Sequence, residues 1–447
     1  MATKKKGIVS DLENLDYMSI ISGGSNDGVF SRNKTVDYSY KTGIPILDYM
    51  YGYEVVIRDN GEFVRKKLCL GLQAGSFNVL TGRTQSFKTT IATQIISNIA
   101  YSNNGNIVHY DAEQRLVLER AKNLSKLPDN WFTGENPRYS LRSGAIGFDT
   151  LQNDITTLYE NKMRNAQYLL EDTGEVDSNN QPIFMMPPTV VFLDSLQNVI
   201  QEEKNYDVEN KKFDDNKELR GNMYGAQSAK TIRGFLTDIL PMIKEANIIF
   251  IVIAHKTSNM SLNPFAGVKK QFQYGSNDER ISGGSAVEFN ASAVINLNGL
   301  VGNDTRFNME SDGFEGNTVI VEPVKSSTNE SGNEKTGLGF EIIVDKRKNG
   351  VDNIRTLICF MKKKGRLKGN AAGYKVINKH GEELTDKFTW KHCYDEFKKD
   401  SKTFNTFMVE CKKELETLIS RSDETASGTI DPFDMDKFTT EIVEECA

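Results

Sequence analysis

The chain has 447 residues, 61 acidic against 55 basic side chains, a formal net charge of -6 and 38% hydrophobic residues. That length suffices for one large domain with smaller ends, and the negative balance excludes a generally basic nucleic-acid coat, so any DNA contact must come from local clusters. The N-terminal Lys4-Lys5-Lys6 is followed by polar sequence and no long apolar run occurs, which predicts a soluble cytoplasmic protein without membrane contact, and Cys69, Cys359, Cys393, Cys411 and Cys446 form no CxxC pair and read as reduced structural thiols.

In chain order, residues 1 to about 40 hold a short amphipathic stretch, Ile8 to Ile21, and a turn-rich run to Gly28, too small to fold alone. Asp59-Asn60-Gly61 between the alternating runs Tyr53 to Ile57 and Phe63 to Lys67 predicts a hairpin. A strand-like segment, Phe77 to Thr81, then leads into Gly82-Arg83-Thr84-Gln85-Ser86-Phe87-Lys88-Thr89 and a helix-like segment, Thr90 to Ala100. This context reads as a nucleotide-binding P-loop. Its N–H groups and helix N-terminus surround a phosphate, Lys88 reaches the terminal phosphates, and the Thr89 hydroxyl ligates Mg²⁺. Phe87 stands where the pattern expects glycine and lacks glycine's access to positive φ.

Three further apolar runs end in a polar residue: Ile107 to Ala112 before Glu113, Val190 to Leu193 before Asp194, and Ile248 to Ala254 before His255. Each is continuous rather than alternating, the pattern of a buried parallel strand. Ligands of an open doubly wound sheet bind outside the carboxyl ends of its strands, so Lys88, Glu113, Asp194 and His255 are expected to converge. Asp194 would complete the Mg²⁺ shell, Glu113 would orient or deprotonate the attacking water, and His255 would sense the γ-phosphate. The plain alternatives are a helix-capping aspartate and a hydrogen-bonded core histidine. Glu171 to Pro188 and Gly299 to Gly337 read as surface insertions.

Ser86-Phe87-Lys88, Tyr110-Asp111-Ala112-Glu113, Phe192-Leu193-Asp194-Ser195, Ala254-His255 and Gly283-Gly284-Ser285-Ala286 with Ala291-Ser292-Ala293 occur in the order seen in RecA-type recombinases. The chain resembles that family, phage members especially, over roughly residues 40 to 380. The resemblance implies an α/β fold, a RecA-like P-loop ATPase core with a mostly parallel twisted sheet flanked by helices. It divides the chain into an N-terminal oligomerisation segment (1–40), the core with its DNA-binding loops (41–368) and a C-terminal region with an acidic tail (369–447). It also implies a homo-oligomeric helical filament driven by ATP and Mg²⁺ on single-stranded DNA, pairing with double-stranded DNA, and served by a recombination mediator and a single-stranded-DNA-binding protein.

The family places DNA-binding loops at Gln201 to Tyr224 and Met260 to Ser282. The first carries more acid than base, and a solvated loop is its alternative reading. The second mixes Lys269, Lys270 and Arg280 with Phe265, Phe272 and Tyr274 ahead of Gly283 and Gly284, offering phosphate contacts and flat rings for bases. After a strand-like run, Phe340 to Val344, Lys346-Arg347-Lys348 aligns with the family's cationic pair, so Lys346 and Lys348 are expected to reach a neighbour's ATP. Lys362 to Lys368 is a second basic run, for duplex DNA or for solvent, and the acidic tail beyond Arg421 is expected to be flexible. A hexameric helicase of the same fold and a non-hydrolysing DNA-coating protein are the rival readings.

Overall fold

The apolar runs become the middle strands of one sheet in the computed structural model, which describes residues 37–199, 221–258, 279–299, 306–309, 314–328, 339–346, 348–370 and 373–419. Contacts cluster into two units, Met1–Asp37 and Tyr38–Ala447, and the sheet belongs to the second. The sheet runs through β1 (Phe77–Gly82), β2 (Asn106–Asp111), β3 (Tyr139–Ser143), β4 (Thr189–Asp194), β5 (Ile248–Ser258), β6 (Ala293–Gly299), β7 (Phe314–Ser326), β8 (Phe340–Asp345) and β9 (Gly350–Val351). Their spatial order is β9-β8-β7-β6-β1-β5-β4-β2-β3, with the short strands Glu279–Ile281 and Arg306–Met309 off this path. Neighbours from β6 to β3 are parallel, and β6 to β9 are antiparallel.

Burial on both faces explains the unbroken apolar runs. In β5, Ile249, Ile251 and Ile253 face one core while Phe250, Val252 and Ala254 face the other. The first core is covered by α1 (Lys88–Ser102), whose Ile91, Ala92, Ile95, Ile96, Ile99 and Ala100 recur at helical spacing on one stripe. The second is covered by α3 (Phe148–Arg164) and α4 (Gly221–Glu245), through Leu151, Ile155, Phe235 and Ile239; α2 (Leu118–Ser125) precedes them beside α1. Downstream, α5 (Asn353–Lys363), α6 (Cys393–Lys399) and α7 (Ser401–Leu415) pack Leu357, Phe397 and Phe407 into the same core as α1. No helix among the described residues is long and apolar enough to cross a membrane.

The expected hairpin forms as Tyr53–Asp59 paired with Glu62–Cys69, with Asn60 at φ 50 and Gly61 at φ 85, the double positive φ that a tight two-residue turn requires. Glu171 to Pro188 holds a second hairpin, Glu171–Val176 with Pro182–Met185, and Arg58 N donates to Ser178 O at 2.9 Å, joining the two. The surface reading of Gly299 to Gly337 is corrected in part. Thirteen of its residues are β7, a strand inside the sheet with Val319 and Val321 fully buried. Tyr224, expected in an irregular loop, lies in α4, which starts at Gly221.

Candidate active site

Four strand ends meet at one edge of the sheet. β1 ends at Gly82, in register with His255 of β5, and β4 ends at Asp194, in register with Asp111 of β2. Glu113 follows the far strand β2, yet the chain turns back there, with Ala112 N and Glu113 N donating to Asp194 O at 2.8 and 3.2 Å. This turn carries the Glu113 carboxylate over β4 toward β5.

The Gly82–Thr89 turn leads into α1 without the glycine expected at position 87. Phe87 itself takes φ 59, ψ 24, a left-handed conformation that disfavours a bulky residue by roughly 1–2 kcal/mol, and its ring packs against the core. At Gly82 a side chain is excluded by close approach, since a Cβ would lie 2.1 Å from Leu297 O. The Lys88 ammonium folds back on the loop and donates to Gly82 O at 3.1 Å and Arg83 O at 2.7 Å. Thr89 Oγ1 donates to Asp194 Oδ2 at 2.6 Å. Glu113 Oε1 accepts from Ser195 Oγ at 3.0 Å and from His255 Nε2 at 3.2 Å, and its Oε2 lies 3.5 Å from the Arg115 guanidinium.

Electrostatics follow from this crowding. Burial, then the charges of Glu113 and Asp111, lift Asp194 to about 6 against the opposing Thr89 hydrogen bond and Lys88 charge. Burial pulls Lys88 below its usual range while Asp194 and Glu113 pull it up. Burial, then the Lys88 charge, lowers His255, so the neutral ring donates its Nε2–H to Glu113, a tautomer assigned from the hydrogen-bond pattern.

These groups line a cleft of about 970 Å³. Thr84, Gln85, Ser86, Phe87, Lys88, Thr89 and Thr90 also line it, as do Arg120, Asn123, Thr318 and Asn349. The donor set fits a magnesium–triphosphate. Lys88 is bonded to loop oxygens, which a phosphate can replace; Thr89 and Asp194 already touch, as two ligands of one cation would; and a cation there would oppose the burial and neighbouring carboxylates that raise Asp194.

The other expected residues separate. Lys346 lines the cleft of its own chain, whereas Lys348 lies outside that lining, 3.9 Å from Asp345. Phe265, Lys269, Lys270, Phe272, Tyr274, Arg347, the side chain of Arg280, the stretch Ile8 to Ile21 and the acidic tail lie outside the described residues. The ends of the second loop are described. Lys256 pairs with Ile281, and Ser282 donates to His255 O through both its backbone N and its Oγ, each at 2.9 Å. Gly283 (φ 93) and Gly284 (φ 72) follow directly. The Lys362 to Lys368 run is largely committed to its own chain: Lys363 donates to Gly339 O, Arg366 pairs with Glu414 at 2.7 Å, and Lys368 with Glu383 at 2.9 Å.

Sequence reasoning assigned no role to Ser195, Arg115 or Gln197, whose side chain accepts from His255 N at 3.2 Å. Ser195 and Arg115 each stand within two residues of a predicted acid, a signal too common to single them out. Phe289, on the short helix after Gly284, is 79% exposed. No family model matches the chain, and no curated protein matches it.

Proposed function

We propose that the chain is an ATP-dependent DNA recombinase of RecA type, which forms filaments on single-stranded DNA and catalyses homologous pairing and strand exchange. The observation that carries this reading is the convergence of Lys88, Thr89, Glu113, Asp194 and His255 in one cleft, with the His255 carbonyl bonded to the end of the second loop. The motif order adds the choice of recombinase over other ATPases with this kind of site.

Thr89 Oγ1 and Asp194 would hold Mg²⁺, which would supply charge neutralisation on the phosphates. Lys88 exchanges its loop carbonyls for phosphate oxygens. Glu113, steered by Ser195 Oγ and His255 Nε2, accepts the proton of the attacking water. Donating to Glu113 from β5, His255 feels a change at the phosphates, and its carbonyl passes that change to Ser282 and the loop before it. Lys346 and Lys348 add positive charge at an interface between protomers, which makes hydrolysis depend on assembly.

A strand-exchange assay with a circular single strand and a homologous linear duplex tests the reading. Joint molecules that need ATP and vanish in Lys88→Ala support it. ATP-driven unwinding of a forked duplex without joint molecules favours the helicase instead.

A further inference from the structure

The turn between β8 and β9 faces two ways. Lys346 and Asn349 line the cleft, while the Lys348 ammonium lies 5.1 Å above the ring centroid of Tyr394, the second residue of α6. Lys348 N donates to Asp345 Oδ1 at 3.1 Å, which fixes its backbone, and its ammonium stands between Asp345 Oδ2, 3.9 Å away, and the ring. Tyr394 is itself anchored. Its hydroxyl donates to Asp352 Oδ1 at 2.7 Å, and the Arg355 guanidinium lies 5.3 Å from the same ring. Asp352 and Arg355, each 4% exposed, form an ion pair at 2.7 Å, and Arg355 Nη2 donates to Lys391 O at 3.2 Å. Asp352 N donates to Ile343 O of β8 at 2.8 Å.

A buried knot thus fastens the start of α6 to the base of the β8–β9 hairpin, and the outer face of its tyrosine carries the lysine at the hairpin's tip. An ammonium over an aromatic face is directed by the ring quadrupole, and a half-exposed pair of this kind holds one orientation without locking it. We infer that Tyr394 is a positioning residue for Lys348, so that the segment carrying α6 sets how well the cationic turn serves ATP hydrolysis. This rests on the proposed role of Lys348 in the ATP site.

The test is a double-mutant cycle on DNA-stimulated ATP hydrolysis with the full chain, pairing Tyr394→Leu and Tyr394→Phe with Lys348→Met. Tyr394→Leu should lower kcat by about two- to fivefold, the size of a partly exposed cation–ring contact, with the KM for ATP unchanged. Tyr394→Phe keeps the ring and should keep most of the activity. In the Lys348→Met background Tyr394→Leu should add no further loss. Equal losses in both backgrounds, or a Phe variant as impaired as the Leu variant, overturn the inference in favour of a purely structural tyrosine. Should Tyr394→Leu not fold, Tyr394→Met carries the same comparison. Wild-type protein without DNA-stimulated hydrolysis overturns the recombinase reading itself, an outcome separate from either.

Discussion

Replacing Asp194 by asparagine should make the nucleotide-free protein more stable while removing its activity. Asp194 is 8% exposed and held at about 6 by burial and by Glu113 and Asp111, roughly two pH units above an ordinary aspartate. At about 1.4 kcal/mol per tenfold change in a proton equilibrium, the ionised form disfavours the folded state by about 3 kcal/mol. Asparagine has the same shape and can still accept the Thr89 hydrogen bond, but its amide N–H groups need partners, which takes back about 1 kcal/mol. The net gain expected at pH 8 is therefore about 1–3 kcal/mol. Its sign with pH follows from linkage: a carboxylate raised in the folded state takes up its proton there first, so the gap between variant and wild type is full above pH 6 and closes as pH falls toward 4. Denaturant unfolding without Mg²⁺ or nucleotide, followed by fluorescence of the buried Trp131 and Trp390, measures the gap at each pH. A variant less stable than wild type at pH 8, or a gap indifferent to pH, refutes the electrostatic account of the site.

Glu113→Gln should bind ATP with near wild-type affinity and hydrolyse it about 10²–10⁴-fold more slowly, the usual contribution of a positioned base; unchanged single-turnover rates would remove Glu113 from that role. Mixing Glu113→Gln protein with Lys346→Ala/Lys348→Ala protein should restore some DNA-stimulated hydrolysis, because one kind of mixed interface joins an intact acid to an intact cationic pair, and a co-assembled mixture no more active than its parts contradicts the in-trans assignment. Phe272→Ala or Tyr274→Ala should weaken oligonucleotide binding by about 1–3 kcal/mol per stacked base with little change in salt slope, whereas Lys269→Ala/Lys270→Ala should flatten the slope; titrations across a salt series separate the two. Phe87→Gly, which relieves a positive φ but gives up a packed ring, should leave unfolding free energy within about 1 kcal/mol of wild type, and a loss of several kcal/mol would show that the ring outweighs the strain.

The central strands were legible because burial on both faces writes itself as continuous Val, Ile, Leu and Phe, and because each run stops at the polar residue that reaches the cleft. β7 was not. It alternates Thr318 and Ile320 with Val319 and Val321 and carries Glu315, Asn317, Glu322 and Lys325, so the composition of its Gly- and Ser-rich flanks swamped the signal. The turn that returns Glu113 over β4 was equally hidden, since it depends on two backbone bonds from Ala112 and Glu113 to Asp194, 82 and 81 positions away. The Lys362 to Lys368 run shows the same limit from the other side. Its partners Glu414 and Glu383 are remote in sequence, and a charge run reads alike whether it faces DNA, solvent or its own fold.

The most direct test of the account is electron microscopy of the wild-type protein with single-stranded DNA, Mg²⁺ and ATP, beside Lys88→Ala under the same conditions. The account predicts long helical filaments in the first and none in the second. Closed rings, or DNA coated equally with and without ATP, contradict it.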